Sequence, residues 1–111
     1  MAFYAFKTID VGSVSAGGST EKTWTSDDDY TIHKIKFIEK SAGNLYQYEV
    51  TISIDNYVIT KDIVSASVFV GNWNQLPILD ISIKKSQVIK FSIENGESAA
   101  RDCYIVLELH K

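Results

Sequence analysis

Hydrophobic and polar residues alternate one by one over most of this chain. In residues 45–55, LYQYEVTISID, the apolar side chains occupy every second position: Tyr46, Tyr48, Val50, Ile52 and Ile54. Side chains of a strand point alternately to its two faces, so this period places one apolar face against a core. A helix is excluded because the apolar residues do not recur at every third or fourth position. The segment therefore predicts a long, half-buried strand.

The same pattern predicts strands along the rest of the chain. They fall at about residues 3–10, 20–25, 30–39, 57–60, 78–83, 88–94 and 101–109, and residues 61–70 form either a less regular strand or a crossover. Within residues 30–39 the apolar period slips, because Ile32 and Ile38 are out of phase with Ile35 and Phe37. A β-bulge, or a strand buried on both faces at one end, would produce this slip. No segment keeps a helical period for more than roughly one turn.

Turns rich in Gly, Asn, Asp and Ser separate these strands. Asp55-Asn56 predicts a tight hairpin, residues 40–44 predict a second hairpin loop, and residues 78–109 predict a meander. A chain of 111 residues suits one domain with one core, here residues 1–111. About eight strands joined by short turns predict an all-β fold, a single antiparallel β-sandwich. The lack of the Cys–Trp–Cys pattern of immunoglobulin domains favours a jelly roll.

The first predicted strand, within residues 1–10, carries aromatic side chains on both faces. Phe3 falls in one phase of the alternation, and Tyr4 and Phe6 fall in the other. A strand that is apolar on both faces needs a partner on each. Two interpretations follow: an edge strand tucked partly under a loop, or an arm that pairs with a neighbouring subunit by strand addition.

Charge and composition narrow the classes of partner. The net charge is -3, and the eleven Lys and Arg residues are scattered among fourteen acidic residues, so no basic stripe for nucleic acid is present. No window is long and apolar enough to span a membrane, and MAFYAFKTID lacks the pattern of a signal peptide. We therefore expect no nucleic-acid or membrane partner and synthesis in a cytoplasm.

Side chains suited to catalysis or metal binding are few. His33, His110 and the single cysteine, Cys103, are too small a set for a four-ligand zinc site, and no G-x-S-x-G elbow presents a nucleophile. Residues 27–29 are three aspartates that could contribute to a calcium site, but they lack the spacing of an EF-hand and also suit a solvated acidic turn. We expect no enzyme activity, no cofactor, no metal and no intramolecular disulfide.

Two tryptophans lie in or beside polar loops and are candidate contact residues. An aromatic ring presented from a loop can anchor a protein contact or stack on a sugar, and it can equally cap one end of a core. Trp24 and Trp73 are therefore predicted interface residues together with Phe3, Tyr4 and Phe6. In an alternative interpretation, Trp73 binds a carbohydrate together with its amide neighbours Asn72, Asn74 and Gln75.

The C-terminal third has a recognisable order of turns and strands. In PILDISIKKSQVIKFSIENGESAARDCYIVLELHK, a lysine-bearing turn precedes a strand of the form I-x-F-x-I, an Asn-Gly loop and a last apolar strand. This string resembles the closing strands of small jelly-roll structural proteins of viruses, and with the preceding strands the resemblance covers roughly residues 30–109. It implies a non-enzymatic virion subunit that decorates or cements a capsid, or builds a spike or tail part.

The resemblance also implies the partners: further copies of the same chain in a homo-oligomer, and other virion proteins. The doubly apolar first strand and the aromatic loops agree with a subunit whose purpose is contact. A carbohydrate-binding β-sandwich module is the second hypothesis, and a small host-interaction or enzyme-accessory domain is the third.

Overall fold

The structure, a computed structural model, describes residues 2–111; Met1, which belongs to the predicted first segment, lies outside the described residues. Its strands are β1 (Phe3–Val14), β2 (Ser19–Thr25), β3 (Tyr30–Glu39), β4 (Tyr48–Ile54), β5 (Tyr57–Val58), β6 (Val64–Ser65), β7 (Ile81–Ile83), β8 (Val88–Asn95) and β9 (Arg101–His110). Two 3₁₀ turns, Ala66–Phe69 and Trp73–Gln75, lie between β6 and β7. In residues 2–111 no helix has the length and apolar character needed to cross a membrane.

The strands form two antiparallel sheets that pack face to face. Sheet A has the order β1-β9-β3-β7, and sheet B has the order β2-β8-β4-β5, with β6 also pairing with β4. Because β5 and β6 make up one interrupted edge strand, the sandwich has eight strand positions. Successive strands alternate between the sheets except at this edge, which is the connectivity of a jelly roll. The predicted all-β sandwich is confirmed.

The local connections were predicted less well than the strands. The hairpin at Asp55-Asn56 is confirmed, because Ile54 pairs with Tyr57. Residues 40–44 do not close a hairpin, because they lead from β3 in sheet A to β4 in sheet B. The predicted meander is also wrong, since β8 lies in sheet B while β7 and β9 flank β3 in sheet A. The alternation of apolar residues specifies which side chains of a strand are buried. It does not specify the neighbouring strand, because several different strand orders bury the same side chains.

Strand β4 is the centre of sheet B, and it begins later than predicted. Val50, Ile52 and Ile54 are buried, as the alternation requires, but Tyr46 is 69% exposed. Leu45 has a φ of 60°, and its carbonyl accepts a hydrogen bond from the backbone N–H of Tyr48, so the chain turns before the strand starts. The side chain that enters the core from this turn is that of Leu45.

Strand β1 extends further than its alternation predicted. It continues through a bulge at Asp10–Gly12 to Val14, and its whole length pairs with β9 at the edge of sheet A. The Asp10 carboxylate accepts a hydrogen bond from the Gly12 N–H at 3.0 Å, and Gly12 has a φ of 77°. A glycine adopts this φ without the steric cost that a side chain would add.

Two ionisable side chains meet in the core between the sheets. Cys103 on β9 and Tyr48 on β4 are fully buried, and their thiol and hydroxyl lie side by side without a well-formed hydrogen bond among the described residues. Burial raises the pKa of Cys103 to about 11 and also raises the pKa of Tyr48. Ionising either group would place a charge in an apolar interior, so both remain protonated at neutral pH.

We expect the free energy of unfolding to fall as the pH rises above about 9. The pKa of Cys103 rises from 9.0 in the unfolded chain to about 11, and that of Tyr30 rises from 10.0 to about 12, chiefly because its hydroxyl donates to Asp27. The folded chain holds these protons more tightly, so their contribution is complete below about pH 9 and disappears towards the folded pKa values. Urea unfolding of wild type and Cys103→Ala along a pH series would measure this loss.

The substitution Cys103→Ala supplies the control, because it removes the thiol whose pKa shift drives the first part of the decline. Its urea midpoint should fall less steeply between pH 9 and 10 than the wild-type midpoint. Equal slopes for the two proteins would contradict the assignment to Cys103.

Candidate functional site

Aromatic side chains gather around the first half of β1, at the edge of sheet A. We call this set the aromatic band; its members are Phe3, Tyr4, Phe6, Trp24, Tyr30 and Trp73. All five predicted interface residues belong to the aromatic band. Its sixth member, Tyr30, is the first residue of β3 and was not predicted as an interface residue. Phe3, Tyr4 and Phe6 are each 54% exposed.

A bulge near the start of β1 divides the aromatic band into two clusters. Phe3 pairs with His110 and Phe6 pairs with Glu108. His110 and Glu108 share a face of β9 because they are two residues apart, so Phe3 and Phe6 also share that face. Simple alternation had placed them on opposite faces. The bulge leaves Tyr4 without a partner on β9, and its ring joins the other cluster.

The first cluster covers part of the outer face of sheet A. The ring centroids of Phe3 and Phe6 are 4.9 Å apart, and those of Phe6 and Trp73 are 5.2 Å apart. Two lysines of β3 hold the Trp73 turn over this face. The Lys34 ammonium donates to the Trp73 carbonyl, and the Lys36 ammonium lies 5.4 Å from the Trp73 ring centroid. Trp73 therefore sits over a sheet face and is half-buried.

The second cluster joins the start of β3 to β1 and β2. The ring centroid of Tyr30 is 5.7 Å from that of Tyr4 and 6.1 Å from that of Trp24. The Lys111 ammonium lies 4.3 Å from the Tyr4 ring centroid and 5.4 Å from that of Tyr30. The Lys111 cation thus lies beside one exposed ring, Tyr4, and one buried ring, Tyr30. Such an arrangement stabilises the cation and the ring when they are desolvated together.

The three aspartates of residues 27–29 form a turn with divergent contacts. The carboxylate of Asp27 accepts from Tyr30 at 2.8 Å, that of Asp28 from the Lys111 ammonium at 2.7 Å, and that of Asp29 from the Lys85 N–H at 2.9 Å. The hydrogen bond from Lys111 lowers the pKa of Asp28. These contacts favour the structural turn over a converging calcium site.

The side chains of the alternative carbohydrate site are placed around the same turn. Asn72, Asn74 and Gln75 are exposed, while the Trp73 ring between them contacts Phe6 and Lys36. Part of the ring surface that a sugar would need is therefore occupied by the protein itself. Carbohydrate binding at this turn stays a prediction.

The slip of phase predicted within β3 is present as a bulge at His33. Ile32 pairs with Leu109 and Lys34 pairs with Glu108, so His33 is the extra residue on β3. A bulge re-aims the side chain that it carries. The His33 ring stacks on the ring of His110, with centroids 4.4 Å apart and planes inclined by 23°.

Each of these two histidines also contacts a carboxylate. His33 Nδ1 lies 2.6 Å from Asp80 Oδ1, and His110 Nε2 lies 2.5 Å from Glu108 Oε2. We call His33, Asp80, Glu108 and His110 the histidine cluster. From the sequence, His33 and His110 were counted with Cys103 as too small a set for a four-ligand zinc site. Only the pairing of β3 with β9 brings the two histidines together. Phe3 lies edge-on to His110, with the ring centroids 6.2 Å apart, so the cluster adjoins the aromatic band.

Neither a protein-family model nor a curated protein matches the sequence.

Proposed function

We propose that this chain is a non-enzymatic virion structural protein, a capsid decoration or cement protein, a spike part or a minor capsid subunit, that works through protein–protein contacts. The observation that carries the proposal is the aromatic band, in which Phe3, Tyr4 and Phe6 are each 54% exposed on an edge strand. Large exposed apolar groups that are contiguous mark interaction surfaces more often than scattered ones do. The jelly-roll strand order supports the same class of protein.

The location of the aromatic band favours contact with another protein. Because β1 is the first strand of sheet A, its outer edge has no neighbour in the described chain. Such an edge offers backbone N–H and C=O groups, and the adjoining rings offer apolar area. A partner that adds a strand to β1 would bury both. A second copy of the chain presents the same surface, which suits a symmetric homo-oligomer.

The apolar area is large enough to stabilise association. A ring that is about half exposed leaves roughly 100 Å² to bury, which corresponds to about 2.5 kcal/mol at about 25 cal/mol per Å². Three such rings contribute about 7.5 kcal/mol from each subunit, or about 15 kcal/mol for two, which is similar to the upper end of the association cost of about 4–15 kcal/mol. Contact between two bands therefore offsets much of this cost, and backbone pairing along the β1 edges would add to it.

The double substitution Phe3→Ser/Phe6→Ser tests this proposal. It should weaken self-association by at least about 100-fold, because aromatic residues in the centre of an interface are each worth about 2 kcal/mol or more. Native mass by light scattering over a concentration series measures the change. Both side chains lie outside the core, so the far-ultraviolet circular dichroism should stay that of wild type.

The matched control is Tyr46→Ser/Tyr57→Ser. Tyr46 and Tyr57 are 69% and 72% exposed. Tyr46 lies in the turn before β4 and Tyr57 lies on β5, so both belong to the side of sheet B, away from the aromatic band. The control should associate as wild type does, and equal losses in both double variants would overturn the role of the band. The substitutions test the aromatic side chains more specifically than deletion of residues 1–7 would. Ala5 and Lys7 pair with β9, so the deletion would also expose that edge of β9.

A further inference from the structure

We propose that His33, Glu108 and His110 bind one divalent transition-metal ion of the zinc class on the outer face of sheet A. One ligand atom from each of these residues lies within 4.8 Å of the other two. In a tetrahedral site with bonds of about 2.0–2.1 Å, ligand atoms are about 3.4 Å apart. The Glu108 and His110 ligand atoms, which are 2.5 Å apart, would separate by about 1 Å to reach this spacing, while the His33 atom would approach them by up to about 1.4 Å.

The strand pairing fixes the positions from which these ligands extend. Glu108 and His110 are two residues apart on β9 and share its outer face, while the bulge in β3 brings His33 alongside them. β9 lies between β1 and β3 in sheet A, so its backbone is hydrogen-bonded on both edges. Sites built on paired strands hold their ligands more precisely than sites on loops.

Asp80 is the positioning residue of the site. Its carboxylate lies 2.6 Å from His33 Nδ1. It can therefore accept a hydrogen bond from the Nδ1–H group, which leaves the Nε2 lone pair free for a metal ion. A carboxylate behind a metal-ligating histidine is a common arrangement, because it fixes the tautomer and raises the basicity of the ligand. Asp80 has a φ of 48°, a conformation that aspartate tolerates better than most residues.

Coordination requires two local changes. The stacked imidazole rings must rotate so that their lone pairs converge, since the lone pair of a ring lies in its plane. The ion must also replace the hydrogen bond between Glu108 Oε2 and His110 Nε2, which are 2.5 Å apart. Lys34 is the strand partner of the ligand Glu108, and its ammonium donates to the Trp73 carbonyl. The side chains of His33, Glu108 and His110 are 23%, 16% and 14% exposed, so an ion can reach them.

The ligand set selects the class of ion. Two imidazole nitrogens and one carboxylate oxygen suit Zn²⁺ and its first-row neighbours, whereas Ca²⁺ and Mg²⁺ require shells of oxygen ligands. Three protein ligands leave a fourth position for water. The chain contains no other histidine, so the proposal assigns both of its imidazoles to one site.

Titration calorimetry of untagged protein with Zn²⁺ tests the proposal, and the visible spectrum of the Co²⁺ complex reports the geometry. We expect one ion bound per chain, no comparable binding of Mg²⁺, and loss of at least about 100-fold in affinity for His33→Ala and for His110→Ala, more than the usual effect of an outer-shell partner. Glu94→Gln, which removes an exposed carboxylate of sheet B, is the matched control and should bind as wild type does.

The substitution Asp80→Asn separates positioning from folding. It should weaken Zn²⁺ binding by about 10- to 100-fold while the melting temperature of the metal-free protein is unchanged. Wild-type protein that binds no Zn²⁺, or histidine variants that bind it with wild-type affinity, would overturn the site. Unchanged affinity in Asp80→Asn would overturn the role of that carboxylate.

Discussion

Phe37→Ala is expected to lower the free energy of unfolding by about 3–5 kcal/mol, the usual cost of removing a buried phenylalanine ring. Phe37 is fully buried on β3, in sheet A. Its ring centroid lies 5.8 Å from that of Phe69 and 6.2 Å from that of Phe91 on β8, in sheet B. The ring therefore joins the two sheets, and its removal leaves a cavity that three different segments border. Urea unfolding followed by tryptophan fluorescence measures the loss.

The neighbouring residue gives a matched control, because it lies on the opposite face of the same strand. Ile38 is 37% exposed, and Ile38→Ala should cost less than about 1 kcal/mol. A domain of this size is stable by about 5–15 kcal/mol, so Phe37→Ala can leave part of the population unfolded at room temperature while Ile38→Ala cannot. Similar losses at the two positions would mean that the faces of β3 are not arranged as described.

Asn95→Ala should cost about 3 kcal/mol, because it removes three hydrogen bonds to the backbone, one of them buried and two partly buried. Asn95 is completely buried at the end of β8. Its amide donates to the carbonyls of Val14 and Ala99 at 2.9 and 3.1 Å, and its Oδ1 accepts from the Glu97 N–H at 2.8 Å. One side chain thus ties the end of β1 to the loop between β8 and β9. Urea unfolding measures the effect.

Asn95→Asp distinguishes these hydrogen bonds from simple packing. Aspartate has nearly the same shape but cannot donate to the two carbonyls, so it should be at least as destabilising as alanine. The exposed Asn74→Ala is the control and should change stability by less than about 0.5 kcal/mol. An Asn95→Asp variant as stable as wild type would show that the donated hydrogen bonds contribute little.

The sequence predicted the class of the fold because period-two alternation depends only on local geometry. Tyr48, Val50, Ile52 and Ile54 are buried as predicted, and the phase slip in β3 correctly indicated a bulge. The strand order could not be obtained in this way, since a residue such as Ile93 is buried equally well beside β4 or beside β9. Tyr46 failed for a different reason: a turn that starts at Leu45 reverses the direction in which the side chains point.

The same distinction between local pattern and strand pairing explains which candidate sites could be predicted from the sequence. The aromatic residues of β1 could be identified because they lie in one segment, whose alternation places apolar side chains on both faces of the strand. The histidine cluster was not, because His33 and His110 meet only when β3 pairs with β9, and Asp80 reaches His33 from the segment before β7. Trp73 was assigned to a contact loop, but its packing on Phe6 depends on how that loop crosses sheet A.

The native mass of the wild-type chain, measured by light scattering over a wide range of concentration, tests the proposed function most directly. Contact between the aromatic bands of two copies predicts a closed symmetric oligomer, a two-fold dimer in the simplest case, whose mass is independent of concentration above the dissociation constant. A monomer at every concentration would contradict self-assembly through Phe3, Tyr4 and Phe6.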